Sequence, residues 1–233
     1  MNRLIRCFIV LFFLAFNTAF AQTVSGSIAS DTTWSGIVIA DSVNVPFGRI
    51  LTILPGTIVK FNSGKMLVVA GKLIANGKSD STIIFTSNVG TPAPGNWNGI
   101  ELQNSASVAS VINYCIVDYA GGGSNASSIY YKTGAPNINI SNSVIHRSSN
   151  HGINPRSSSP RISNTVLTQN GGYGIFADLS LSFIVDSCKI TKNTNGGVMI
   201  GVNSTASILN SVIDSNGTGV FVSNSAAPTI KQN

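Results

Sequence analysis

Three residues of this chain have the types and spacing for acid–base chemistry: Asp118, His146 and Arg147. A carboxylate beside an imidazole fixes the ring's tautomer and raises its basicity, as a general base requires. The adjacent guanidinium, with Arg156 and Arg161 further along, would clamp carboxylate groups. Together they would suit proton abstraction from a uronic acid. The bland alternative is a row of solvated residues at strand ends. A second constellation is apolar: Tyr130, Phe176, Met199 and Phe221, in line with Glu101 and Asn154. Aromatic side chains on a regular face stack on sugar rings or on another protein. Its alternative is a surface covered by a loop or a further segment of chain.

Both constellations depend on a repeat. A small residue followed two positions later by an aliphatic recurs as Cys115/Val117, Ser143/Ile145, Thr165/Leu167, Cys188/Ile190 and Ser211/Ile213, at steps of 28, 22, 23 and 23 residues. A Gly–aliphatic pair keeps the same beat at Gly152, Gly174, Gly197 and Gly219. Two columns in phase predict a solenoid with one coil per repeat. Apolar residues alternate within each segment, Val and Ile dominate, and Gly, Asn and Ser interrupt every few positions. Each coil therefore holds two or three short strands, and the fold class is all-β, a single-stranded right-handed parallel β-helix. A leucine-rich repeat has a similar period, but it needs closely spaced Leu and a helical stretch, and neither is found.

The columns place individual residues. The position after the inward aliphatic reads Asp118, His146, Thr168, Thr191, Asp214, so Asp118 and His146 are predicted on adjacent coils. Asn142, Asn164 and Asn210 occupy one corner, with Tyr114 and Ser187 substituting. Asn suits left-handed turns and stacks as a hydrogen-bonded ladder. A second, looser set is Asn150, Asn170, Asn193 and Asn216. Cys115 and Cys188 share a column three coils apart, roughly 14 Å at the coil spacing. A disulfide needs α-carbons within about 7 Å. Two separate, buried, free thiols are expected.

The first half belongs to the same object, with strands around 51–61, 66–75 and 83–86 and loops leaving the coil at 88–95 and 121–126. The domain reading is a signal peptide at 1–21 and one β-helix over 22–233, with an N-terminal cap over about 23–39. Arg3 and Arg6, an apolar run from Phe8 to Phe16 and Ala19-Phe20-Ala21 form the leader pattern. Export to the cell surface or medium follows, with no membrane span after cleavage. Residues 227–233 open another coil that stops in mid-repeat, so a further C-terminal region or a partner is expected to cover it. Only 9% of residues are charged, and the basic ones are scattered without interleaved aromatics. This argues against nucleic acid as a partner.

PGTIVKF, LVVAGKLIANG, IIFTS, WNGIEL and INYCIVDYAGGG, followed by ISNSVI, ISNTVLTQNGGYGIF and ILNSVIDSNGTGV, resemble the coils of bacterial secreted right-handed parallel β-helix proteins of the pectate-lyase-like superfamily. The resemblance covers nearly all of the chain after the leader. It implies the fold and a polysaccharide or cell-surface component as partner. Members that are pectate lyases use a carboxylate cluster for calcium, whereas this chain spreads seven Asp and one Glu over all its coils. Members that are polygalacturonases carry Gly-His-Gly and paired aspartates. Here Asn150-His151-Gly152 stands alone, and no two acidic residues are neighbours. The leading expectation is a non-catalytic binding module without a cofactor. A lyase or hydrolase around Asp118, His146 and Arg147, with Ca²⁺ only in that case, is the alternative. A structural stalk or adhesin segment is the second.

Overall fold

The computed structural model describes residues 21–179 and 182–233, so the leader reading of 1–21 falls almost entirely outside them. The described residues form 25 strands and no helix, which removes the leucine-rich alternative. Every pairing between these strands is parallel. The chain is a right-handed parallel β-helix with three faces. Face one runs through Ile58–Phe61, Ile83–Ser87, Cys115–Asp118, Val144–His146, Val166–Thr168, Lys189–Thr191 and Val212–Asp214. Face two runs through Met66–Val69, Gly99–Leu102, Ser127–Tyr131, His151–Asn154, Tyr173–Ala177, Gly196–Ile200 and Val220–Val222. Face three runs from Thr32–Trp34 through Ile50–Ile53, Lys72–Asn76 and Val111–Asn113 to Thr229–Lys231.

Period-two alternation builds the core. Val59, Phe85, Val117, Ile145, Leu167 and Ile190 are register partners on face one, and all are fully buried. Ile100, Ile129, Ile153, Ile175 and Val198 form the opposing column on face two. Each such side chain contributes about 1.5–3 kcal/mol by leaving water. Cys115 and Cys188 are buried and free. Burial pushes their thiols up to about 12 and about 11.

The corners explain the rest of the repeat. Tyr114, Asn142, Asn164, Ser187 and Asn210 all have left-handed backbone, as do Tyr119, Arg147, Gln169, Lys192 and Ser215 at the next bend, with φ between 48° and 58°. One left-handed residue turns the chain from strand to strand. The small anchor that follows the first bend has its own task. The Ser143 hydroxyl accepts from Cys115 N–H at 3.1 Å, Thr165 from Ser143 at 3.4 Å, and Ser211 from Cys188 at 3.1 Å.

The corner asparagines do not form the predicted ladder. Asn142 donates to Asn113 and Asn210 to Asp186, because each side chain reaches the residue before the corner on the preceding coil rather than the next corner residue. The ladder runs through the second set. Asn170 Nδ2 donates to Asn193 Oδ1 and Asn193 Nδ2 to Asn216 Oδ1, both at 2.9 Å. The same oxygens accept backbone N–H groups from the coil before, and the Nδ2 groups also reach the carbonyls of Ile145, Leu167 and Ile190. Ser148, not Asn150, occupies the position preceding Asn170.

At the start of the solenoid, β1 (Gln22–Ser27), β2 (Thr32–Trp34) and β3 (Ile37–Val45) divide the work. β2 pairs with Ile50–Ile53, and β3 pairs with both Ile58–Phe61 and Met66–Val69, so both are ordinary coil strands. β1 lies off the coil path. It pairs with β3 through an irregular step between Val24 and Gly26, and its QTVSGS sequence is mostly exposed. A short, polar, bulged strand is how sheet edges are kept from further pairing.

Candidate functional sites

The register places Asp118 and His146 side by side as Cα partners on face one. His146 Nε2 lies 3.5 Å from Asp118 Oδ2, longer than an ordinary hydrogen bond. The close partner is Arg147, whose Nε and Nη2 donate to the two carboxylate oxygens at 2.8 and 2.6 Å. Left-handed φ at Arg147 turns its side chain back over the previous coil, where the guanidinium lies 4.3 Å from the Tyr119 ring centroid. Trp97 Nε1 holds the Asp118 carbonyl at 2.7 Å. Burial lowers the His146 pKa; Asp118 opposes this and Arg147 reinforces it. The imidazole therefore stays neutral beside a carboxylate already saturated by a cation. Arg156 and Arg161 do not converge here. Arg156 Nε bonds Thr133, and Arg161 pairs with Asp186 on face three.

On face two, Tyr130 pairs with Glu101 and Asn154, Phe176 with Met199, and Met199 with Phe221. Ile153 opposite Ile175 places Asn154 next to Phe176, so one outward column runs through all six. Tyr130, Phe176 and Met199 are half-buried, and Phe221 is 46% exposed. Asn154 is buried and accepts from Arg156 N–H at 2.9 Å, which separates Tyr130 from the apolar run. Both oxygens of Glu101 are held, by Gln103 and Asn125.

Two further residues thicken the apolar run. His151 stacks on Phe176 with ring centroids 4.1 Å apart and planes within 5°, and Tyr173 tilts against both rings. His151 Nδ1 accepts from Tyr173 N–H at 3.1 Å, which leaves the proton on Nε2. Burial holds this imidazole down to about 4, against the pull of the Asp178 carboxylate. Among the described residues, Asp178 Oδ1 is buried without a hydrogen-bond partner. The glycines beside these rings are required by close packing. A Cβ on Gly152, Gly174 or Gly197 would stand 2.6–2.9 Å from the carbonyl of the next glycine in the column. Face two thus offers an apolar run of rings beside a neutral imidazole. Among the described residues, no group of three or more His, Cys, Asp and Glu side chains is arranged to hold a metal ion.

Stacked parallel strands, a buried amide ladder and turns of single left-handed residues define a β-solenoid protein. Residues 98–233, more than half of the chain, match the family described as right handed beta helix region, and the chain belongs to that family. No curated protein and no solved structure matches it significantly.

Proposed function

We propose that this chain is an exported, non-catalytic module, secreted or held at the cell surface, that binds polysaccharide on face two. The observation that carries the reading is the stack of His151 on Phe176, continued by Met199 and Phe221 on the next two coils. Tyr173 extends the same surface sideways. Large apolar side chains repeated on an outward column lie outside the core, and an aromatic stack is worth roughly 0.5–1.5 kcal/mol per pair beyond area burial. A glycan array followed by calorimetry on the hits tests the reading. Saturable binding that weakens in Phe176→Ala is expected, and no binding to any glycan would sink it.

The lyase alternative rests on Asp118 and His146 standing in register. Two contacts weigh against it: Arg147 occupies both oxygens of Asp118, and His146 Nε2, 3.5 Å from that carboxylate, lacks the close bond that would fix its tautomer and raise its basicity. Ca²⁺ belongs only to that alternative. Appearance of unsaturated-uronate absorbance on a glycan hit, abolished in His146→Ala, would establish it over the binding reading. A stalk or adhesin segment would show neither binding nor turnover.

A further inference from the structure

Where the turn 46–49, the bend at 70–72 and the loop 103–110 meet, the corner between faces two and three encloses a recess of about 430 Å³. Its shape follows from local chemistry. Arg49 N–H bonds Pro46 O at 3.0 Å, and Gly48 takes a φ of 79°, so Phe47 sits at the apex of a tight turn, 79% exposed. The next coil passes so close beneath that a Cβ on Gly71 would lie 2.3 Å from Pro46 O. In the following coil Ser107 N–H bonds Gly71 O at 2.8 Å and Ser110 N–H bonds Ser107 O at 2.9 Å, which holds Val108 out at 68% exposure. Ile50 and Ala106 line the space between Phe47 and Val108.

Arg49 and Lys72 are the charged residues lining the recess, and no carboxylate lines it. Among the described residues neither cation has an ion-pair partner; the pairs present involve Lys65, His146, Arg147 and Arg161. Arg49 and Lys72 bring two like charges onto successive coils, where Lys72 N–H bonds Arg49 O at 2.9 Å, and Phe47 and Val108 leave apolar surface in water. An apolar body with an anionic head relieves both at once. The volume lies at the small end of the range for ligand pockets, roughly 300–1,000 Å³. We propose that this corner binds a medium-chain fatty acid, its chain between Phe47 and Val108 and its carboxylate on Arg49 and Lys72. The site is independent of the glycan face.

Calorimetry of the full chain with sodium decanoate tests this, with methyl decanoate and sodium acetate as controls. Saturable one-to-one binding of decanoate is expected, with the ester and acetate each at least about tenfold weaker. The double variant Arg49→Gln/Lys72→Gln and the single variant Phe47→Ser should each lose about tenfold, while Phe176→Ala leaves decanoate binding unchanged. The proposal is overturned if decanoate does not saturate, if the ester binds as well as the acid, or if the double variant keeps full affinity. The ester comparison uses the unaltered chain and so does not depend on any variant folding.

Discussion

The Arg147 guanidinium closes on the Asp118 carboxylate of the preceding coil through both Nε and Nη2, at 2.8 and 2.6 Å. This two-pronged bond decides what the neighbourhood can do. It joins two coils at a left-handed bend, and it withdraws the carboxylate from the imidazole 3.5 Å away. Asp118→Ala should lower stability by about 2 kcal/mol, the range for a hydrogen bond to a charged group. The denaturant midpoint should fall at constant slope, with glycan binding unchanged. A midpoint that does not move would reduce the pair to a solvated surface contact.

Asn193 sits in the middle of the interior ladder, accepting from Asn170 and donating to Asn216 and to Leu167 O. Asn193→Ala leaves several buried groups unpaired and should cost about 2–3 kcal/mol. Asn164→Ala, at a left-handed corner with φ 48°, should cost about 1 kcal/mol from backbone strain alone. Thermal unfolding of the two variants should preserve that order; equal losses would contradict the assignment of the ladder.

Phe176→Ala and Phe221→Ala should each weaken glycan binding about five- to tenfold, corresponding to roughly 1–1.4 kcal/mol per ring. Phe221 is about half exposed and lies outside the core, so its variant should change the melting temperature little, separating binding from folding. Full affinity in both variants would move the binding surface off face two.

His151 is held down to about 4 from an ordinary 6.5, and His146 is lowered as well. Between these values the unfolded chain binds more protons than the folded one. Stability is therefore complete above about pH 6.5 and falls as pH drops toward 4, by at most about 1.4 kcal/mol per pH unit for His151 and less by the share that solvent screens; His146 adds to the fall in the same direction. His151→Gln should flatten part of that slope. A pH-stability curve that is level between 4 and 6.5 would show that neither ring is protected.

Cys115 and Cys188 are buried, with thiol pKa values near the top of the accessible range. In the chain from Gln22 onward, a thiol reagent at neutral pH should find neither in the native state and two in denaturant without reductant. Detection of fewer in denaturant would indicate a disulfide that the column spacing forbids.

Much of this was legible before any coordinates. The small anchor and the Gly anchor run in phase, and each coil exposes every second residue. The pairing of Asp118 with His146 and the order Phe176–Met199–Phe221 follow from counting. Four things did not follow. Arg147 adopts a backbone that arginine does not favour, so its return to Asp118 left no compositional trace. At Gly152 the missing side chain would point inward toward Asn170 and Leu167, yet the next residue, Ile153, is also buried. Period two breaks there, and counting back from Phe176 skips His151 and Tyr173. The interior ladder was hidden because Ser148 replaces Asn at one rung, which made the spacing look irregular. The corner between faces two and three carries no repeat at all, so its recess exists only once three coils are stacked.

Two rungs of the ladder, Asn170 and Asn216, are each followed by glycine. In a loose chain that dipeptide ages quickly: the glycine nitrogen attacks the side-chain amide carbon, ammonia leaves, and water opens the resulting cyclic imide to a carboxylate. Here Gly171 N–H is engaged by Ser148 O and Gly217 N–H by Asn193 O, both at 3.0 Å, so neither nitrogen is free to turn toward its neighbour. The stacking that needs these amides also preserves them, and a folded molecule outlasts the chemical clock written into its own sequence.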